Sequence, residues 1–130
     1  MSLQRYEQGN TYYKNKYIMK IYHNPRCRKS RETLALIEGK GIEPEIVLYL
    51  EKPPTQKALK ELLALLKMKP GSLIRKGEKI YKEEYKGKEL SDAEWIKAMV
   101  KNPKLIERPI VVKGKKAILG RPPENVLDLL

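Results

Sequence analysis

The stretch Tyr17-Ile18-Met19-Lys20-Ile21-Tyr22-His23-Asn24-Pro25-Arg26-Cys27-Arg28-Lys29-Ser30 decides how this chain folds. Residues 17–22, rich in isoleucine and tyrosine, predict a strand that delivers the chain to a loop around Cys27. From Ser30 onward, Leu34, Leu36 and Ile37 followed by Gly39 and Gly41 predict a helix with glycine stop signals. Ile46-Val47-Leu48-Tyr49-Leu50 then reads as a second strand of the buried type. Strand, helix and strand in this order make a βαβ unit, whose crossover sets the two strands parallel.

Beyond it, Pro53-Pro54-Thr55 punctuates the change to a helix with Ala58, Leu59, Leu62, Leu63 and Leu66 on one face. A basic stretch follows over 70–88. Ser91 with Glu94 three residues on is a capping box, and it opens a helix that buries Trp95, Ile96, Met99 and Val100 before Asn102-Pro103 ends it. Pro109-Ile110-Val111-Val112, a Lys113-Gly114-Lys115 turn and Ala117-Ile118-Leu119 predict a β-hairpin. Residues 124–130 are expected to form a last short helix. A parallel βαβ half followed by a hairpin and a helix is the order of the thioredoxin fold. The expected fold class is therefore α/β, thioredoxin-like, with a helical insertion over about 53–107 between the two halves. Residues 16–130 read as one domain, and residues 1–15 as an N-terminal arm of uncertain order.

The chain has 130 residues, enough for one domain whose core needs no disulfide or metal to hold it. Its single cysteine can make no internal disulfide. With no charged-then-apolar leader and no apolar run of membrane-spanning length, a reducing, cytoplasmic setting without membrane contact is expected. Lys and Arg number 28 against 16 Asp and Glu, a formal charge of +12 that favours anionic partners by long-range steering. The lysines are spread along the chain and no DNA- or RNA-reading motif occurs, so nucleic acid is not expected as the primary partner. One cysteine and one histidine are too few for a closed zinc site, and no metal is expected.

A lone free cysteine is commonly an inert apolar filler. Cys27 has different surroundings: Arg26, Arg28 and Lys29 lie within two positions, and it sits where a strand stops and a helix starts. Cationic neighbours and the helix dipole both favour the thiolate, the nucleophilic form. Two neighbouring chemistries are excluded by spacing. A Cys-x-x-Cys redox pair would need a second cysteine where Ser30 stands, and a Cys-x5-Arg oxyanion loop would need arginine where Thr33 stands.

Five blocks, in order, resemble the ArsC-type, glutaredoxin-linked arsenate reductases. They are Ile21-Tyr22-His23-Asn24-Pro25 leading to Cys27 and Ser30, Tyr49-Leu50-Glu51-Lys52-Pro53-Pro54-Thr55, Leu73-Ile74-Arg75-Lys76, Arg108-Pro109-Ile110-Val111-Val112, and Arg121-Pro122. The resemblance implies that Cys27 attacks arsenate, that Arg75, Arg108 and Arg121 hold the oxyanion, and that His23, Asn24 and Ser30 help keep the cysteine ionised. It also implies a cis Arg108–Pro109 bond. Guanidinium forks suit an oxyanion better than a lysine point charge does. With one cysteine, the two electrons that take As(V) to As(III) must come through an external thiol. The resemblance points to glutathione as co-substrate with glutaredoxin or another thiol donor, and to no tightly bound cofactor. Two rivals share the fold: a regulator resembling the Spx proteins, which binds RNA polymerase, and a glutathione-linked thiol oxidoreductase. The first commonly carries the absent Cys-x-x-Cys, and the second needs no arginine triad.

Overall fold

A computed structural model describes residues 18–130, so the arm expected over 1–15 lies outside the described residues. A four-stranded sheet runs in the order β2-β1-β3-β4. Strands β1 (Met19–Tyr22) and β2 (Glu45–Val47) are parallel, with Lys20 opposite Glu45, and are joined by helix α1 (Arg28–Gly39). Strand β3 (Ile110–Lys113) runs antiparallel to β1, with Ile21 opposite Val111, and antiparallel to β4 (Lys116–Leu119). Helices α2 (Gln56–Leu66) and α3 (Asp92–Lys101) lie between β2 and β3 in the chain. This is the α/β, thioredoxin-like arrangement expected from the sequence.

The alternation of strand side chains divides the core between the two sheet faces. Met19, Ile21 and Val111 pack with Ile37 of α1 and with Val126 and Leu129 of the C-terminal segment. Ile110, one residue from Val111 and so on the opposite face, packs with Leu59, Leu62 and Leu63 of α2 and Ile96 and Met99 of α3. The central strands are thus covered on both sides, and their C-terminal and N-terminal ends meet at one edge of the layers.

Local chemistry sets each boundary. Thr55 Oγ1 accepts from the Ala58 N–H at 3.1 Å and caps α2. The capping box at α3 is complete: Ser91 Oγ accepts from the Glu94 N–H at 3.2 Å, and Glu94 Oε1 accepts from the Ser91 N–H at 2.8 Å. A cap of this kind contributes about 1 kcal/mol. The β3–β4 hairpin turns through Gly114, whose φ of 60° is the left-handed geometry a tight hairpin asks of its first turn residue.

The structure departs from the sequence expectations at the boundaries of β2 and α1. Strand β2 ends at Val47 rather than Leu50, because the Leu48 carbonyl accepts from both the Glu51 and Lys52 N–H groups at 2.9 Å and turns the chain. Tyr49 thereby leaves the ladder and enters the core beneath the insertion. Helix α1 starts at Arg28, two residues before Ser30, with Cys27 as its N-cap. The last short helix expected over 124–130 is present as a 3-10 helix, Pro123–Leu129. Val126 and Leu129, three apart, fall on the same side of a helix with three residues per turn and both are buried. No helix among the described residues is long and apolar enough to cross a membrane.

Candidate active site

The loop from β1 to α1 is folded by its own polar groups. The Asn24 carbonyl accepts from the Cys27 N–H at 2.9 Å, and Asn24 Oδ1 accepts from the Arg26 N–H at 3.0 Å. Ser30 Oγ lies 2.6 Å from His23 Nδ1 and accepts from the Asn24 N–H at 3.0 Å. His23, Asn24 and Ser30 are all buried, so this small network fixes the loop against the helix. Cys27 stands at the N-cap, where Ser, Thr, Asp or Asn would ordinarily accept from the first free N–H groups of a helix. A thiolate is the acceptor that position lacks.

The thiol pKa is lowered although burial pushes it up. The Ser30 N–H, the Arg108 guanidinium and the Lys29 N–H together outweigh burial and stabilise the anion. The charges of Arg26, Arg28 and the Lys29 side chain, which the sequence put first, are not among the causes. Arg28 instead pairs with Glu32 at 3.0 Å, with its side chain 82% exposed, and water screens it. The decisive cation comes from 81 residues further along the chain. Burial, followed by the Arg31 charge, lowers the His23 pKa, so its imidazole is neutral at neutral pH and is held by Ser30.

Arg75 arrives through a short antiparallel bridge between Ile74 and Ile106. The Arg75 N–H donates to the Leu105 carbonyl at 2.7 Å, and the Glu107 N–H donates to the Leu73 carbonyl at 2.9 Å. The segment after Arg75 is held by aromatic packing, with Tyr81 and Tyr85 against Trp95 of α3 at centroid distances of 6.4 and 6.0 Å. Arg108 precedes β3 across a cis bond to Pro109, as expected, and Arg121 follows β4 across a second cis bond, to Pro122. Gly120 brings the two together. Its N–H donates to the Pro109 carbonyl at 2.8 Å, and a Cβ there would lie 2.6 Å from Thr33 Oγ1 and 2.8 Å from Pro109 Cγ. Only glycine fits between α1 and the cis-proline. Arg121 Nη1 then donates to the Arg108 carbonyl at 3.3 Å.

Two carboxylates tie the guanidiniums to one another. Glu78 Oε2 lies 3.0 Å from Arg75 Nε and 3.9 Å from Arg108 Nη1. Glu107 Oε1 lies 3.6 Å from Arg75 Nη1 and 3.9 Å from Arg121 Nε. Arg75, Arg108 and Arg121 therefore form one cluster, with Arg108 beside the thiol, and its three positive charges exceed the two negative ones. An entering oxyanion would meet guanidinium forks already oriented by carboxylates, a preorganised electrostatic site. Sequence reasoning missed Glu78 and Glu107. The available signal was their position: Glu78 is three residues after Arg75, and Glu107 immediately precedes Arg108. Among the described residues, no group of three or more His, Cys, Asp or Glu is placed to hold a metal ion.

Comparison with known proteins gives the family description. The model of the ArsC family matches residues 22–129. The chain is 54% identical over 114 residues to the uncharacterized protein YfgD of Escherichia coli K12, covering 86% of this chain and 96% of that one. It is 49% identical over 116 residues to an arsenate reductase of Haemophilus influenzae, covering 85% of this chain and 97% of that one. The solved structure of an arsenate reductase from Vibrio cholerae superposes with a TM-score of 0.83 at 49% identity, covering 86% of this chain and 97% of that one.

Proposed function

From the premise that the chain belongs to the ArsC family, we propose that it is a thiol-dependent arsenate reductase in which Cys27 is the nucleophile and Arg75, Arg108 and Arg121 hold the oxyanion. The observation that carries this reading is the linkage of three guanidiniums from separate segments into one cluster beside a thiol of lowered pKa. The relatives named arsenate reductase support arsenate as the substrate.

In the first step the thiolate attacks arsenic. An S–As bond forms and one As–O bond breaks, the departing oxygen taking up a proton and leaving as water, while arsenic stays As(V). The guanidiniums stabilise the charge on the remaining oxygens as the bond order shifts. Reduction then takes two electrons from external thiols: arsenic acid and two thiols give arsenous acid, one disulfide and water. Cys27 has no second cysteine in the chain with which to close a disulfide, so the thiols are supplied from outside. Glutathione is the small thiol proposed, with glutaredoxin or another thiol donor as the protein partner. His23, Asn24 and Ser30 act as supports: they hold the loop so that the helix N–H groups face Cys27.

The test is arsenate-dependent oxidation of glutathione, followed with and without glutaredoxin, together with direct measurement of arsenite. Arsenite formation that requires Cys27 is the expected result. Absence of arsenate-dependent turnover with every thiol donor, on protein whose Cys27 is fully reduced, would overturn the proposal.

A further inference from the structure

Tyr49 belongs to the block 49–55, to which the reaction above gives no role. Its side chain is 1% exposed and packs in the core cluster beneath the insertion, yet its hydroxyl has no hydrogen-bond partner. An unpartnered buried hydroxyl is destabilising, and phenylalanine would fill the same core volume without that penalty. Among the described residues only two other buried side-chain polar atoms share this condition, Arg108 Nε and Glu107 Oε1, and both belong to the arginine cluster.

Tyr49 and Arg108 line the same cavity, of about 170 Å³, together with Asn24 of the cysteine loop and Glu78. The hydroxyl also feels the charges of Arg108, Cys27, Arg75 and Glu78, which places it within electrostatic reach of the proposed nucleophile and of two of the three arginines. Burial, the largest cause, pushes its pKa up to about 12, so the phenol keeps its proton. A buried donor with nothing to donate to, beside a cationic cluster and a nucleophile, matches an acceptor that arrives with the substrate.

We propose that Tyr49 is a further catalytic residue whose O–H donates a hydrogen bond to an oxygen of arsenate bound between Cys27 and Arg108. This rests on the reductase reading above. The phenol remains protonated throughout and no bond to it is made or broken. A neutral donor complements the guanidiniums because it adds directional contact without adding charge, and hydrogen bonds to anionic acceptors are the stronger kind. Held rigidly by the core, it needs no reorganisation as charge develops on the oxygens around arsenic.

The experiment compares wild type with Tyr49→Phe in three measurements: arsenate-dependent turnover at saturating thiol donor, urea unfolding, and the ability of arsenate to slow alkylation of Cys27. The variant is expected to lose on the order of 10- to 100-fold in kcat/KM, at or below the scale of losing one oxyanion-hole donor. It should be at least as stable as wild type and show weaker arsenate protection of Cys27. Undiminished kcat/KM and protection in the variant, with wild type active, would overturn the assignment and leave the ring as packing. A parallel fall in stability and activity would also overturn it, since the hydroxyl would then be bonded within the fold. Wild type that neither turns over arsenate nor is protected by it overturns the reductase reading itself, and this assignment with it.

Discussion

The two halves of the site are built in opposite ways. The cysteine half occupies eight consecutive residues, 23–30; apart from the His23 N–H, which donates to the Val47 carbonyl at 2.9 Å, it is tied together by hydrogen bonds within the loop itself, such as His23 to Ser30. The arginine half is drawn from three segments, at positions 75, 108 and 121, through the bridge of Ile74 to Ile106 and the close approach at Gly120. Local hydrogen bonding can aim a helix N-terminus at a sulfur atom. It cannot bring in a guanidinium, and the cation that lowers the Cys27 pKa is Arg108 from the distant half. On the proposed reading, nucleophile and anion clamp are coupled: the fold that gathers the arginines also lowers the thiol pKa.

The sharpest way to break this comparison is to remove one half outright. Cys27→Ser should abolish arsenate turnover while leaving the urea unfolding midpoint near wild type, because an alcohol has neither the acidity nor the redox chemistry of a thiol. Residual arsenate-dependent turnover would place the nucleophile elsewhere. Arg108→Ala tests the coupling. It should cost about 10²–10³-fold in turnover, the scale of one oxyanion donor, and raise the pH midpoint of Cys27 alkylation, with Arg108→Lys between. Alanine at Arg75 or Arg121 should lower turnover and leave that midpoint in place, since neither is among the causes of the shift. A midpoint that moves equally in all three variants would make the thiol respond to net charge rather than to one contact.

Smaller effects sharpen the same contrast. Gly120→Ala inserts a methyl into a gap already filled by Thr33 and Pro109, and should destabilise by about 1–3 kcal/mol in urea unfolding. Its damage should fall on arsenate affinity through Arg121 more than on thiol acidity. Least of all, Arg26→Ala or Arg28→Ala should leave the alkylation midpoint almost in place, since neither charge is among the causes of the shift and exposed charges are screened. A larger drop in thiol acidity from either would return the leading role to the local cations.

Much of the fold could be read from side-chain pattern alone. The βαβ unit, both helices of the insertion, the capping box at Ser91 and the hairpin around Gly114 each follow from short-range periodicity or from a polar group three residues away. At the end of β2 a tertiary demand overrode the local pattern. Residues 46–50 carry the composition of one strand, but burying Tyr49 beneath the insertion required the turn at Leu48.

What the sequence determined by itself was the proposed nucleophile, Cys27, and its cradle: one cysteine at a strand-to-helix junction, with the loop's polar groups encoded within a few residues. The arginine positions were legible only through resemblance to a family, since one arginine in a chain with 28 basic residues carries no mark of its role. Tertiary structure alone decided which cation activates the thiol, that Glu78 and Glu107 hold the guanidiniums together, and that the Tyr49 hydroxyl lies unpartnered beside them. The reason is physical. Capping acts over one turn of backbone and is written in neighbouring residues, whereas a Coulombic contact depends on distance in space, which only the packed sheet, the bridge and the glycine at 120 set.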